Sequence, residues 1–138
     1  FIEVIDLVKV YKMGSLEVQA LRGLNLRIDK GDFIAIIGPS GSGKTTLLNI
    51  LGGLDSPTAG QARIGNSNLN TMNRKDRILF RRETVGHIFQ NLNLIPTLTA
   101  RENIELPLVA AKTSSTNRIE RISKLVEILG MDERIDHT

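Results

Sequence analysis

Cysteine is absent from this 138-residue sequence, which excludes disulfide bonds and thiolate metal sites and leaves a reducing compartment permitted. Aromatic side chains are scarce, with one Tyr, four Phe and no Trp, so platforms for stacking single-stranded bases are poorly supplied. Charge of one sign is also in short supply. Eighteen basic and 15 acidic side chains leave a formal net charge of +3, too small and too dispersed to mark a nucleic-acid surface. No nucleic-acid partner is expected. The longest apolar stretches, 33–37 and 46–54, fall well short of the roughly twenty residues that cross a bilayer. No basic region leads into an apolar one at the N-terminus, so no signal peptide is visible. A cytosolic protein is expected, free to dock on a membrane protein. Phe1 is not an initiator Met and the chain stops at Asp136-His137-Thr138, so both ends read as cut.

What is present is ordinary globular material, 41% apolar and 24% charged, enough for one domain with a genuine core. Residues 1–10 alternate as a half-buried strand would, with Ile2, Val4 and Leu7 inward. Met13-Gly14-Ser15 reads as a loop. Residues 21–28 alternate again, with Leu24, Leu26 and Ile28 on one face, before a turn at Asp29-Lys30-Gly31-Asp32. The continuous apolar run 33–37 suits a parallel strand covered on both faces. A glycine-rich interruption over 38–43 follows, and helical spacing resumes over 44–54. A short strand is expected over 61–64, a solvated helix over 73–82 and a strand over 85–89. Thr99-Ala100-Arg101-Glu102 fits a capping box, opening a helix that Pro107 should interrupt. Asn117-Arg118-Ile119-Glu120 can cap a last amphipathic helix with Ile119, Ile122, Val126 and Leu129 as its stripe, ended by Gly130.

Gly38-Pro39-Ser40-Gly41-Ser42-Gly43-Lys44-Thr45 satisfies the P-loop pattern, Gly-x-x-x-x-Gly-Lys-Ser/Thr, between an apolar run and a helix. The chemistry needs these residue types. Glycines let the backbone curl at positive φ and bring its amides up to phosphate oxygens with no Cβ in the way. The helix that follows, starting near Gly43, aims its free N–H groups and positive dipole end at the same anion. Lys44 should reach the β- and γ-phosphates of a bound nucleotide, Thr45 can offer its hydroxyl to Mg2+, and Thr46 a further hydroxyl and amide. A P-loop alone leaves kinases, GTPases, helicases and transport ATPases open.

The flanking residues narrow the choice. Tyr11 stands between two strands upstream of the loop; by itself such a Tyr reads equally as half-buried packing. His87-Ile88-Phe89-Gln90-Asn91 is an apolar segment running into a glutamine. Gly53-Leu54-Asp55-Ser56-Pro57-Thr58-Ala59-Gly60 and the whole run 86–108, from Gly86 through Pro96-Thr97-Leu98-Thr99 to Leu108, complete the pattern. Together these resemble the ATPases of ABC transporters, in the lipoprotein-release and macrolide-export branch, over essentially the whole chain. The resemblance implies that Tyr11 stacks on adenine and that Gln90 ligates Mg2+ or orients the attacking water. It also implies a head-to-tail dimer with a second ATPase domain, seated beneath a transmembrane permease subunit on the inner face of the cell membrane. Residues 91–100 then correspond to the stretch that senses that subunit. Leu92, Leu94, Ile95 and Leu98 would be its apolar docking residues, with ordinary core packing as the alternative.

The resemblance also shows what this sequence lacks. No LSGGQ signature, no apolar strand ending in Asp-Glu and no switch His follows the P-loop. The chain alone should therefore bind ATP weakly and turn it over negligibly, and the 33–37 strand should lack neighbours, leaving apolar edges prone to associate. The fold expected is α/β. It comprises a P-loop core with an antiparallel portion near the N-terminus over 1–96, then the start of a helical subdomain over 97–138, together part of an ABC ATPase domain. A soluble P-loop kinase and a non-hydrolytic regulatory ATP-binding module are the alternatives. The first would call for an Arg-rich lid, and the Gln90 neighbourhood argues against it.

Overall fold

The computed structural model describes residues 1–91 and 93–138. They form two compact units, Phe1–Gly86 and His87–Thr138, each with its own apolar core. In the first, β1 (Ile2–Met13) and β2 (Leu16–Ile28) form an antiparallel hairpin turned at Gly14-Ser15, and β3 (Ala59–Ile64) and β4 (Ser67–Asn68) complete a sheet of order β2-β1-β3-β4. Val4 and Leu7 are both buried, although strict alternation puts residues three apart on opposite faces. A bulge resolves the conflict. Asp6 adopts φ +46°, and its freed N–H donates to Asn25 Oδ1 at 2.9 Å while the Asn25 amide donates back to Asp6 Oδ1 at 2.9 Å. The extra residue restores parity between the two apolar side chains.

Against this sheet packs α1 (Lys44–Leu51), which buries Leu47, Ile50 and Leu51, a spacing that places them on one helical face. The helix is shorter than the 44–54 expected because Gly52 caps it and Gly53, at φ +67°, turns the chain away. A helix α2 (Arg74–Glu83) follows, capped by Asn73 and Asp76, with Phe80 as its one buried residue. The solvated helix expected over 73–82 is therefore present.

Neither strand expected at 33–37 or 85–89 is formed. Residues 33–37 form no regular element and have no ladder partner among the described residues. Phe33 is 98% and Ile37 91% exposed, and only Ile36 leans on the core. A parallel strand exists by virtue of its neighbours, which must satisfy its N–H and C=O groups on both edges. Every pairing in this sheet is antiparallel and none reaches residue 33.

The second unit holds α3 (Ala100–Ala110) and α4 (Ser115–Leu129), then a single 3-10 turn, Asp132–Arg134. The Thr99–Glu102 capping box is formed, with Glu102 N–H donating to Thr99 Oγ1 and Thr99 N–H to Glu102 Oε2. Thr99→Ala should cost this unit about 1 kcal/mol, read as a lower urea midpoint; an unchanged midpoint would show that the cap is idle. Pro107 does not end α3, which runs three residues further, since proline forfeits one ladder bond without abolishing those behind it. For α4 the cap is Ser114, three residues ahead of Asn117. Ile122 and Val126 are buried with Ile135, whereas Ile119 and Leu129 face solvent, so the stripe is narrower than expected. Gly130 ends the helix at φ +60°. Leu94 and Ile95 are exposed and Leu98 half-buried; Leu92 lies outside the described residues. Among the described residues, no helix is long and apolar enough to cross a membrane.

Candidate functional site

Among the described residues, three of the four α-helices begin with a side-chain cap: Asn73, Thr99 and Ser114. The fourth, α1, begins on Gly43 at φ +89° with none. The amides of Lys44, Thr45 and Thr46, and of Gly41 and Gly43 before them, are not spent on main-chain acceptors among the described residues. That leaves a row of N–H donors at a positive dipole end. Gly41 (φ +79°) and Gly43 occupy the left-handed region, and at Gly43 a Cβ would sit 2.6 Å from the Ala20 carbonyl oxygen of β2 and 2.9 Å from Leu21 Cδ2. Glycine is therefore required there twice over, by φ and by space. Gly41 and Ser42 border an open hollow of about 400 Å³ against residues 19–24 of β2.

Lys44 folds back over the loop. Its Nζ donates to the carbonyls of Gly38 at 2.8 Å and Pro39 at 2.7 Å, and reaches Ser42 Oγ at 3.4 Å. The ammonium is thus held on the loop itself, by main-chain carbonyls at its start. Ser40 and Thr45 are exposed and Thr46 half-buried. These residues fit a polyphosphate and its cation. Among the described residues there is no group of three or more His, Cys, Asp or Glu able to hold a metal alone. A Mg2+ held here would use phosphate oxygens together with the Thr45 hydroxyl, the usual preference of that ion.

Tyr11 is half-buried, and its hydroxyl donates to Asp55 Oδ2 at 2.7 Å. The other oxygen of Asp55 accepts from Lys9 Nζ at 2.6 Å and from the Ser56 N–H at 2.6 Å. Lys9 also donates to the Ser56 carbonyl at 2.7 Å, and its ammonium lies 4.8 Å from the Tyr11 ring centroid, within cation–π range. Burial, reinforced by the Asp55 hydrogen bond and charge, raises the Tyr11 pKa, against a smaller lowering by Thr46. For Asp55, burial alone would raise the pKa, but the Lys9, Tyr11 and Ser56 hydrogen bonds and the Lys9 charge together hold it below its ordinary value.

Because the folded Asp55 carboxyl ionises more readily than the unfolded one, its stabilisation is complete above the ordinary value of 3.8. It is lost as pH falls through the lowered folded value. Asp55→Asn should therefore cost about 1–3 kcal/mol at pH 7, since it leaves the Lys9 ammonium partly buried without its counter-charge. The gap to wild type should narrow in urea melts below pH 3.8. A gap that persists undiminished in acid would assign the cost to packing.

Gln90 is exposed on a turn in the second unit, after a segment in which Ile88 is 98% exposed and the His87 and Phe89 rings stack at 4.4 Å. The strand expected to carry Gln90 is absent. Sequence reasoning missed Lys9 and Asp55 as members of the Tyr11 cluster. Lys9, two residues before Tyr11, could have been placed on its face from strand alternation. Asp55 comes from a turn 44 residues away, and no local pattern pairs it with Tyr11.

The family model for ABC transporters matches residues 21–138. Macrolide export ATP-binding/permease protein MacB of Marinobacter nauticus is 43% identical over 136 residues, 99% of this chain and 21% of that protein. Lipoprotein-releasing system ATP-binding protein LolD of Legionella pneumophila is 44% identical over 131 residues, 95% of this chain and 58% of that protein. The ATP-binding cassette MJ0796 of Methanocaldococcus jannaschii, solved as a dimer in a post-hydrolysis state bound to ADP and Pi, superposes with a TM-score of 0.88 at 39% identity. That match covers 100% of this chain and 61% of the solved one. The chain thus spans about six-tenths or less of the proteins it matches. A mixed α/β cassette with an antiparallel sheet, a P-loop at the head of α1 and this sequence similarity converge on one conclusion: the chain belongs to the ABC-transporter ATP-binding family, of the MacB and LolD type.

Proposed function

We propose that this chain is the nucleotide-grasping portion of a transport ATPase that couples ATP binding and hydrolysis to export or lipoprotein release. The observation that carries the reading is the uncapped start of α1, where glycines at positive φ leave main-chain N–H groups unspent and Lys44 is held on the loop itself. On binding ATP, Lys44 exchanges the carbonyls of Gly38 and Pro39 for β- and γ-phosphate oxygens. The amides of Gly41, Gly43, Lys44, Thr45 and Thr46 would take the remaining oxygens, the Thr45 hydroxyl would help hold Mg2+, and the Tyr11 ring would stack on adenine. Bound Mg2+ supplies charge neutralisation between the phosphates. Gln90 would ligate that ion or orient the attacking water.

The whole protein would pair with a second ATPase domain and sit beneath a permease on the inner face of the membrane, with Leu94, Ile95 and Leu98 among the residues that meet it. The core over 1–96 would hold the nucleotide, residues 91–100 would sense the permease, and residues 97–138 would begin the helical subdomain. The test is to compare the full-length protein with the 138-residue chain in steady-state phosphate release. Turnover should be confined to the full-length protein, since the chain has neither LSGGQ nor an Asp-Glu pair ending an apolar strand. Comparable turnover by both would contradict the reading.

A further inference from the structure

We propose that Asp55 is the positioning residue for the nucleotide base: it holds the Tyr11 ring at a fixed place relative to the phosphate loop. The inference rests on the ATP reading above and extends it to a residue that touches neither phosphate nor base. Both oxygens of Asp55 are engaged, one by the Tyr11 hydroxyl at 2.7 Å and the other by Lys9 Nζ and the Ser56 N–H at 2.6 Å each. A phenol turning about two χ angles has more than one orientation open to it; a charge-assisted bond to its tip removes that freedom.

The second half of the link runs from Asp55 to the phosphate loop. The N–H groups of Leu54 and Asp55 both donate to the Asn49 carbonyl, at 2.8 and 3.1 Å. Asn49 lies on α1, the helix whose first residue is Lys44. The turn is also pinned to β1, since Thr58 N–H donates to the Val8 carbonyl at 2.8 Å and Val10 N–H to Thr58 Oγ1 at 3.0 Å. Tyr11, Asp55, α1 and the loop therefore form one bonded path, along which the separation of base and phosphate sites is fixed. Lys9 has two parts in it. It neutralises the carboxylate, and it lies against the Tyr11 ring at 4.8 Å, restricting the ring from one side.

A residue that acts this way matters to ATP and not to a ligand without a base. The experiment is carried out on the full-length protein. It measures dissociation constants for ATP and for inorganic tripolyphosphate, both with Mg2+, in wild type, Tyr11→Phe, Asp55→Asn, the double variant and Tyr11→Ala. Tyr11→Phe keeps the stacking ring and removes only its anchor, so it also serves if Asp55→Asn fails to fold. The expected result is ATP binding weakened roughly three- to tenfold in Tyr11→Phe and in Asp55→Asn, the loss of one hydrogen bond's worth of ordering. The double variant should be no worse than the weaker single one, because the two residues act as a unit. Tripolyphosphate affinity should stay at wild type throughout.

If Tyr11→Ala weakens ATP binding while Tyr11→Phe and Asp55→Asn do not, the positioning role is overturned and the stacking role stands. If Tyr11→Ala also leaves ATP binding unchanged, the base is held elsewhere and both fall. Equal losses for ATP and tripolyphosphate in Asp55→Asn, or additive losses in the double variant, would make Asp55 merely structural and overturn the proposal.

Discussion

In a Lys44→Ala variant of the full-length protein, ATP affinity should fall by roughly two to four orders of magnitude. The ammonium would make charge-assisted bonds to two phosphate groups, each worth about 1.5–3 kcal/mol, and every 1.4 kcal/mol is about tenfold in affinity. Stability should change little. The bonds that Lys44 makes in the structure are to the carbonyls of Gly38 and Pro39 on an exposed loop, where water can replace the donor. Calorimetric titration checks the first part and thermal melting the second. Affinity within tenfold of wild type would remove Lys44 from the site.

Gly43→Ala should be the more damaging change to the fold. An alanine there must hold φ near +89°, which costs an L-residue about 1–2 kcal/mol. It must also place its methyl 2.6 Å from the Ala20 carbonyl oxygen and 2.9 Å from Leu21 Cδ2. Leu21 is buried in the core and paired with Lys9 of β1, and the Ala20 carbonyl belongs to the same strand, so the obstacle is a main-chain atom of β2 rather than the far end of a flexible side chain. The combined loss should be about 2–4 kcal/mol, with the start of α1 displaced and phosphate binding gone. Gly41→Ala is the control. Its φ is +79°, but nothing lies within 4 Å of the added methyl, so only the conformational part applies. Urea unfolding should rank wild type, Gly41→Ala, Gly43→Ala in falling order. Equal midpoints for the two variants would show that the contact with β2 yields easily.

The parts of the molecule legible in the sequence are those written in adjacent residues. Strand character over 1–10 and 21–28 follows from alternation and the loop between them from Met13-Gly14-Ser15, although β1 runs on to Met13 and β2 already begins at Leu16; the α3 start follows from Thr99 and Glu102, and the end of α4 from Gly130. The phosphate loop was legible for the same reason, since its glycines, Lys44 and Thr45 are consecutive. What escaped depends on distant partners. An apolar run such as 33–37 says that a segment wants burial; it does not say what lies beside it, and here no described strand does. The Asp6 bulge is fixed by Asn25, and the Tyr11 hydroxyl by Asp55, across 19 and 44 residues of chain. No spacing rule reaches that far. Ile119 and Leu129 share the helical repeat of Ile122 and Val126, yet only the inner pair finds α3, Met131 and Ile135 to pack against.

The central claim is that Lys44 and the main-chain amides ahead of and within the first turn of α1 hold a polyphosphate. The most direct measurement is a crystal structure of the full-length protein with ATP and Mg2+. The account predicts the β-phosphate within hydrogen-bonding distance of N–H groups between Gly41 and Thr46, and Lys44 Nζ released from Gly38 and Pro39 to contact phosphate oxygens. A nucleotide bound elsewhere, with Lys44 still on those two carbonyls, would contradict it.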